Sequence, residues 1–393
     1  VGLANVSAGA QRTGGSKQHP GSALDDRLAE LAASITTSVG LLTTSVGFEC
    51  LKEDTREVLK LTSELLRNPD LPEASIELFK SRLLNAVDHI NDNISSIPAR
   101  TVEQVIYGSG SIYARQPTYS GVKSITRQDA VHFLAQWQRP DAAVLGIVGD
   151  FSSPDMRRIV RDTLEGWIPA KGQPATPPVP PAYPIPQQVH AGWAFLIQQD
   201  NVEQTSVAIG ELGVTLGDPD VPALAVASSI LNSYGGRLFD QIRSKEGLAY
   251  SVSCQWDTPM DHPGLFLLEG STLEPMEFLS GARSILEMAT ETAPTDAELE
   301  RAKSEAVNSF VFNFASTGAQ LNRALVYDVM GLPQDYLFRY KSAVESVTKE
   351  DVVNAAARHL HLAEQTVVMC GDVNKLKPEL EKQGWRVALY QPE

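Results

Sequence analysis

The period of hydrophobic and polar positions changes several times along this chain, and the change across residues 235–256 is the most informative. GGRLFDQIRSKEGLA places Leu238, Phe239 and Ile242 on one face of a helix. Glu246-Gly247 reads as its end, because glycine enters the left-handed conformation without a Cβ clash. The pattern then alternates. Tyr250, Val252, Cys254 and Trp256 fall on one side and Ser251, Ser253 and Gln255 on the other, which predicts a strand over 249–256.

The same periodicities predict, in the first half, a helix at 24–33, strands at 34–40 and 43–51, helices at 57–67, 74–92 and 128–137, a strand at 142–148 and a helix at 153–165. The second half gives strands at 191–198, 205–212, 249–256 and 265–271, with helices near 222–231, 275–288, 296–312 and 334–345. Thr126 with Asp129, and Thr348 with Asp351, open matching helices, each followed by a buried strand and a Gly-Asp turn. Those turns, Gly149-Asp150 and Gly371-Asp372, stand 222 residues apart. Gly14-Gly15 and Gly235-Gly236 stand 221 apart, and Lys80-Ser81 and Lys303-Ser304 stand 223 apart. Near-constant offsets at such separated points indicate a duplication.

Strands and helices come in runs within each half. The predicted class is therefore α+β, two tandem homologous domains, each a mainly antiparallel sheet with helices packed on one face. The boundary is KGQPATPPVPPAYPIPQQV, residues 171–189, in which proline removes backbone donors and favours an extended linker. The predicted domains are 1–170 and 190–393.

Composition narrows the function. A chain of 393 residues fits two domains of roughly 200 each. A net charge of −15 argues against nucleic acid as a partner and is compatible with basic peptides. No run approaches the ~18 apolar residues of a membrane helix. Cys50, Cys254 and Cys370 are odd in number, lack CxxC spacing and lie in apolar strand-like sequence, so they read as buried thiols. The sequence opens at Val1 without an initiator methionine or a charged-then-apolar leader, so any targeting segment is expected to have been removed or to lie outside this sequence.

The candidate chemistry is Arg243, in the last turn of the motif helix, close to Tyr250 at the mouth of the strand. A fixed guanidinium and a neutral hydroxyl donor together suit a carbonyl oxygen that becomes an oxyanion. The same residues also read structurally, with Arg243 as a cation favoured at a helix C-terminus and Tyr250 as a half-buried aromatic. Gly14-Gly15 and Gly235-Gly236 lack the spacing of phosphate loops and read as turns. Residues 34–45 read as an exposed hairpin, or as an edge onto which an extended peptide adds.

The words GGRLFDQIRSKEGLAYSV resemble the arginine–tyrosine motif in the second half of M16 (pitrilysin/insulinase-type) zinc peptidases. The resemblance extends over essentially the whole chain and implies two M16-like domains. It also implies an inverted zinc motif, H-x-x-E-H, on a helix before a glycine turn, with a third ligand, a glutamate, roughly 77 residues on. Asn5, Ala8 and Gly9 stand at the motif positions, and the count leads to Ile90, so no group of the expected set is present. The seven histidines include no i,i+4 pair, and His359 and His361 are expected to face apart. His132 reads as a hydrogen-bonded packing residue.

The resemblance then implies a non-catalytic subunit that holds no metal. It pairs as a heterodimer with a zinc-bearing M16 homologue and supplies Arg243 and Tyr250 in trans, with Gly235 and Gly236 against the peptide substrate. Zinc belongs to the partner, and no hydrolysis is expected from this chain alone. The alternatives are a scaffold, as in the core proteins of respiratory complexes, and a module that binds peptides without cleaving them. Plastid stroma, mitochondrial matrix and bacterial periplasm all stay open as compartments. Family members usually begin with further strands of the first sheet, so an unpaired edge is expected in the first domain.

Overall fold

The computed structural model describes residues 1–174, 176–179, 184–200, 202–232 and 235–392, apart from the side chains at 310, 311 and 313. Contacts divide the chain into two units: Val1–Ile90 with Gln116–Ala182, and Asn91–Arg115 with Tyr183–Glu393. Residues 91–115, placed by sequence in the first domain, thus pack with the second unit. The linker residues 175 and 180–183 lie outside the described residues, and Val179, Ile185 and Val189 beside them are exposed.

In the first unit, helices α1 (Leu3–Gly14), α2 (Ser22–Glu30), α3 (Thr55–Arg67) and α4 (Glu73–Asp88) surround a hairpin of β1 (Ser34–Val39) and β2 (Thr44–Glu49). The hairpin runs antiparallel from Ser34 opposite Glu49 to Val39 opposite Thr44. Val6 and Ala10 of α1 pack with Ile76, Ile125 and Leu134, while Leu24, Ile35, Val58 and Leu65 form a second cluster. Gly14 ends α1 where a Cβ would come 2.1 Å from the Asp70 carbonyl, and Gly15 has φ +74°, so this glycine pair is a turn that only glycine fits.

The predicted strand at 142–148 does not form. Its repeat counterpart, β7 (Thr366–Gly371), lies between two other strands, but no strand among the described residues flanks 143–148. Extended backbone without a hydrogen-bonding neighbour is not a strand, and Val144, Leu145 and Val148 remain 44–48% exposed.

The second unit holds a six-stranded sheet in the order β5-β6-β4-β7-β3-β8. Its strands are β3 (Trp193–Gln198), β4 (Thr205–Leu212), β5 (Ala249–Trp256), β6 (Leu265–Thr272), β7 and β8 (Arg386–Leu389). β5 through β7 pair antiparallel, while β7, β3 and β8 run parallel. Leu196, Ile209, Phe266, Leu268 and Met369 point to one face, beneath the helices Pro275–Glu291, Lys349–His359 and Val373–Lys382. The opposite face carries one further helix, α5 (Ile97–Tyr107), whose Val102, Val105 and Ile106 bury against Ala208, Leu265 and Val368. Each such side chain contributes roughly 1.5–3 kcal/mol by leaving water. Both predicted capping boxes are present, with Thr126 and Asp129, and Thr348 and Asp351, exchanging hydrogen bonds.

Candidate functional site

The motif begins at Gly235, whose φ of +81° turns the chain. Gly236 is buried, and its carbonyl accepts from the amide of Asp240, so it starts the next helix. Arg237 donates to both oxygens of Glu298, at 2.8 and 3.2 Å. Glu298 also accepts from the backbone and hydroxyl of Thr295, which caps the helix Asp296–Phe310. These bonds, Arg237 first, hold the Glu298 carboxyl down at about 2. The sequence reading missed this clamp, although Thr295 followed three residues later by Glu298 is a capping signature.

The expected α-helix is a π-helix over Phe239–Lys245, a rare form that concentrates at functional sites. Leu238 and Ile242 anchor it in the core, as the apolar spacing predicts. Gly281 of the neighbouring helix lets it come close, since a Cβ there would be 3.0 Å from Ile242. Gly247, at φ +65°, closes the helix, and the amide of Leu248 returns to the carbonyl of Ile242.

Arg243 and Tyr250 are brought together. The guanidinium carbon lies 4.9 Å from the Tyr250 ring centre and 4.8 Å from that of Phe239. Two aromatic faces thus hold the cation, and no carboxylate among the described residues pairs with it. The Tyr250 side differs from the sequence reading. A bulge between Ala249 and Val252 shifts the register on β6, so Ala249, Val252 and Cys254 keep the buried face while Tyr250 is thrown out to 78% exposure. An extra residue in one strand reverses the alternation on one side of it, and bulges commonly re-aim side chains in this way. A half-buried cation therefore lies beside an exposed phenol.

β5 is also an edge strand. Asn232 closes part of that edge: its side-chain amide donates to the Cys254 carbonyl and accepts from the Cys254 amide, taking the place of a neighbouring strand. Burial pushes the Cys254 thiol up to about 12 and the Cys370 thiol to about 11. Cys50 is only half-buried, a departure from the expected three buried thiols.

The would-be zinc positions form one wall of a groove in the first unit. It encloses about 740 Å³ between α1, β1 and α4. Asn5, Ala8 and Gly9 line it on α1, and Phe79, Arg82 and Ala86 on α4. Ile90 lies beyond the end of α4 and does not line the groove; Ala86, roughly 77 residues after Gly9, is the residue that does. A Cβ on Gly9 would fall 2.2 Å from the Phe79 ring. An amide, two small apolar residues and an aromatic ring offer no donor set for zinc, so these residues do not fit the metal.

The one remaining group with metal-ligand spacing among the described residues is engaged internally. Asp218, Asp220 and His359 bring donor atoms within 4.8 Å, but Asp220 already holds Arg358 through two bonds of 2.7 Å and His359 at 2.9 Å. His361 turns instead to buried Glu211, so the two histidines do face apart. His132 is exposed and bonded to Gln128, not packed. No helix of the described residues is long and apolar enough to cross a membrane.

Comparison with known proteins agrees with this fold. Residues 124–306, which run across the linker, match the family described as Peptidase M16 inactive domain. This stretch is similar to that M16 domain and makes up 183 of the 393 residues. The chain is 22% identical over 307 residues to the uncharacterized zinc protease YmxG of Bacillus subtilis, covering 77% of this chain and 71% of that protein. It is 19% identical over 378 residues to cytochrome b-c1 complex subunit 1, mitochondrial, of Rattus norvegicus, covering 92% and 76%. The fold matches the crystal structure of a peptidase M16 inactive domain from Pseudomonas fluorescens with a TM-score of 0.79 at 24% identity, over 94% of this chain and 88% of that one. The chain thus has an M16-like α+β fold, in which Arg243 and Tyr250 lie together and Asn5, Ala8 and Gly9 offer no zinc ligand set.

Proposed function

We propose that this M16-type chain is the non-catalytic half of a heterodimeric zinc peptidase. A zinc-bearing homologue supplies the water nucleophile, and Arg243 and Tyr250 bind the scissile carbonyl of its peptide substrate. The single observation carrying this reading is the half-buried Arg243 beside the exposed Tyr250. Arg243 is held by two rings and by no carboxylate, and a bulge turns Tyr250 out of the core, so both donors are left for a ligand from outside the chain. Donors of this kind stabilise charge that appears only in the transition state, which raises turnover more than ground-state binding. Of the glycine pair, Gly235, half-buried and at positive φ, would meet the peptide backbone, since Gly236 is buried. Reconstitution with an H-x-x-E-H homologue tests this. The pair should contain one zinc, carried by the partner, and cleave peptides that neither chain cleaves alone.

A scaffold role is the second reading, favoured by the likeness to the cytochrome b-c1 subunit. It predicts stable incorporation into a larger assembly and no peptide turnover in any pairing.

A further inference from the structure

The groove of the first unit has a charge that the rest of the molecule does not. The chain carries −15, yet the groove lining includes Arg12, Arg82 and a single acid, Asp25. Asp25 is already neutralised by Arg12 at 2.8 Å, and Arg12 also donates to the Ile35 carbonyl. Arg82 has no carboxylate among the described residues. Its guanidinium carbon lies 4.8 Å over the Phe79 ring, the ring packed against Gly9. A guanidinium stacked on an aromatic face keeps its N–H edge free for a planar anion. The remaining wall supplies neutral donors and acceptors from Asn5, Thr36 and Ser38.

The groove is also elongated. It follows α1 from Asn5 to Thr13, about 12 Å at 1.5 Å per residue. Along β1 it runs from Ile35 to Val39, about 13 Å at 3.3 Å per residue. Both lengths suit about four residues of extended peptide rather than a compact ion.

We propose that this groove binds an extended peptide segment bearing a carboxylate, with Arg82 as the residue that takes the carboxylate. The groove lined by the would-be zinc positions thus carries a guanidinium, whose ligand is an anion. The proposal does not rest on the Arg243 and Tyr250 pair and stands or falls without it.

Fluorescence anisotropy on the full chain tests it with four labelled hexapeptides of alanine and serine. One carries a single glutamate and an amidated C-terminus, one a free terminal carboxylate and no glutamate, one a lysine and an amide, and one no charge. We expect at least one carboxylate probe to bind about tenfold more tightly than the neutral and lysine probes, with binding weakened by salt. Which of the two binds identifies the side chain or the terminus as the source. Arg82→Gln, on an exposed helix face, should remove the preference at unchanged thermal midpoint, and Ser38→Glu, which adds a carboxylate to the wall, should remove it as well. Equal binding of all four probes, or an Arg82→Gln protein that keeps the preference, overturns the proposal.

Discussion

The guanidinium of Arg243 lies 4.9 Å over the ring of Tyr250, seven residues further along the chain. Three local devices produce that contact. The π-helix carries the half-buried Arg243, Gly247 turns the chain back at positive φ, and the bulge in β5 faces Tyr250 outwards. Each has a consequence that can be measured, as do the substitutions that filled the zinc positions.

Phe79 occupies the space beside α1 in which metal ligands would have to converge. Restoring the motif by Asn5→His, Ala8→Glu, Gly9→His and Ala86→Glu should therefore fail to give stoichiometric zinc by elemental analysis. Adding Phe79→Ala should improve occupancy. Gly9→Val alone should cost about 1–3 kcal/mol in denaturant unfolding by overpacking against the ring. Phe79→Ala in the same chain should return part of that loss, a coupling that independent sites would not show.

The Arg237 and Glu298 clamp makes a pH prediction. Glu298 titrates at about 2 in the folded chain against an ordinary 4.5, so its folded pKa is depressed. Its contribution to stability is complete above about 4.5 and is lost as the pH falls from there towards 2. Glu298→Gln should lower the stability of the second unit by about 1–2 kcal/mol at neutral pH. The gap between the variant and the original protein should close in acid, as followed by urea midpoints at several pH values.

Thiol labelling reports burial directly. Cys50, half-buried, should react first with an aromatic disulfide reagent. Cys254 and Cys370, whose thiols are pushed up to about 12 and about 11, should react only on unfolding. A fast second thiol in the native chain would show that the sheet opens locally.

Local chemistry was legible in the sequence, and pairing was not. Thr126 and Asp129, or Thr348 and Asp351, satisfy each other within four residues, so their helices could be read without knowing the fold. The apolar spacing of Leu238 and Ile242 found the buried side of the motif helix for the same reason. The bulge was hidden because strand alternation looks regular until the register with β6 is known. The run at 143–148 reads as a strand from its apolar residues, but a strand exists only with a neighbour. The position of α5 on the sheet of the second unit depends on contacts more than a hundred residues away, which no local period carries. The family resemblance pointed to Arg243 and Tyr250, which the fold brings together, while the count to Ile90 ran past the end of α4.

The most direct test of the proposed function is steady-state turnover by the reconstituted heterodimer, with Arg243→Gln and Tyr250→Phe introduced into this chain. We expect kcat to fall about 10²–10³-fold for the arginine variant and by roughly tenfold or more for the tyrosine variant, while KM, zinc content and heterodimer assembly stay nearly unchanged. Unaltered kcat in both variants, in a pair that still assembles and holds its zinc, would contradict the account.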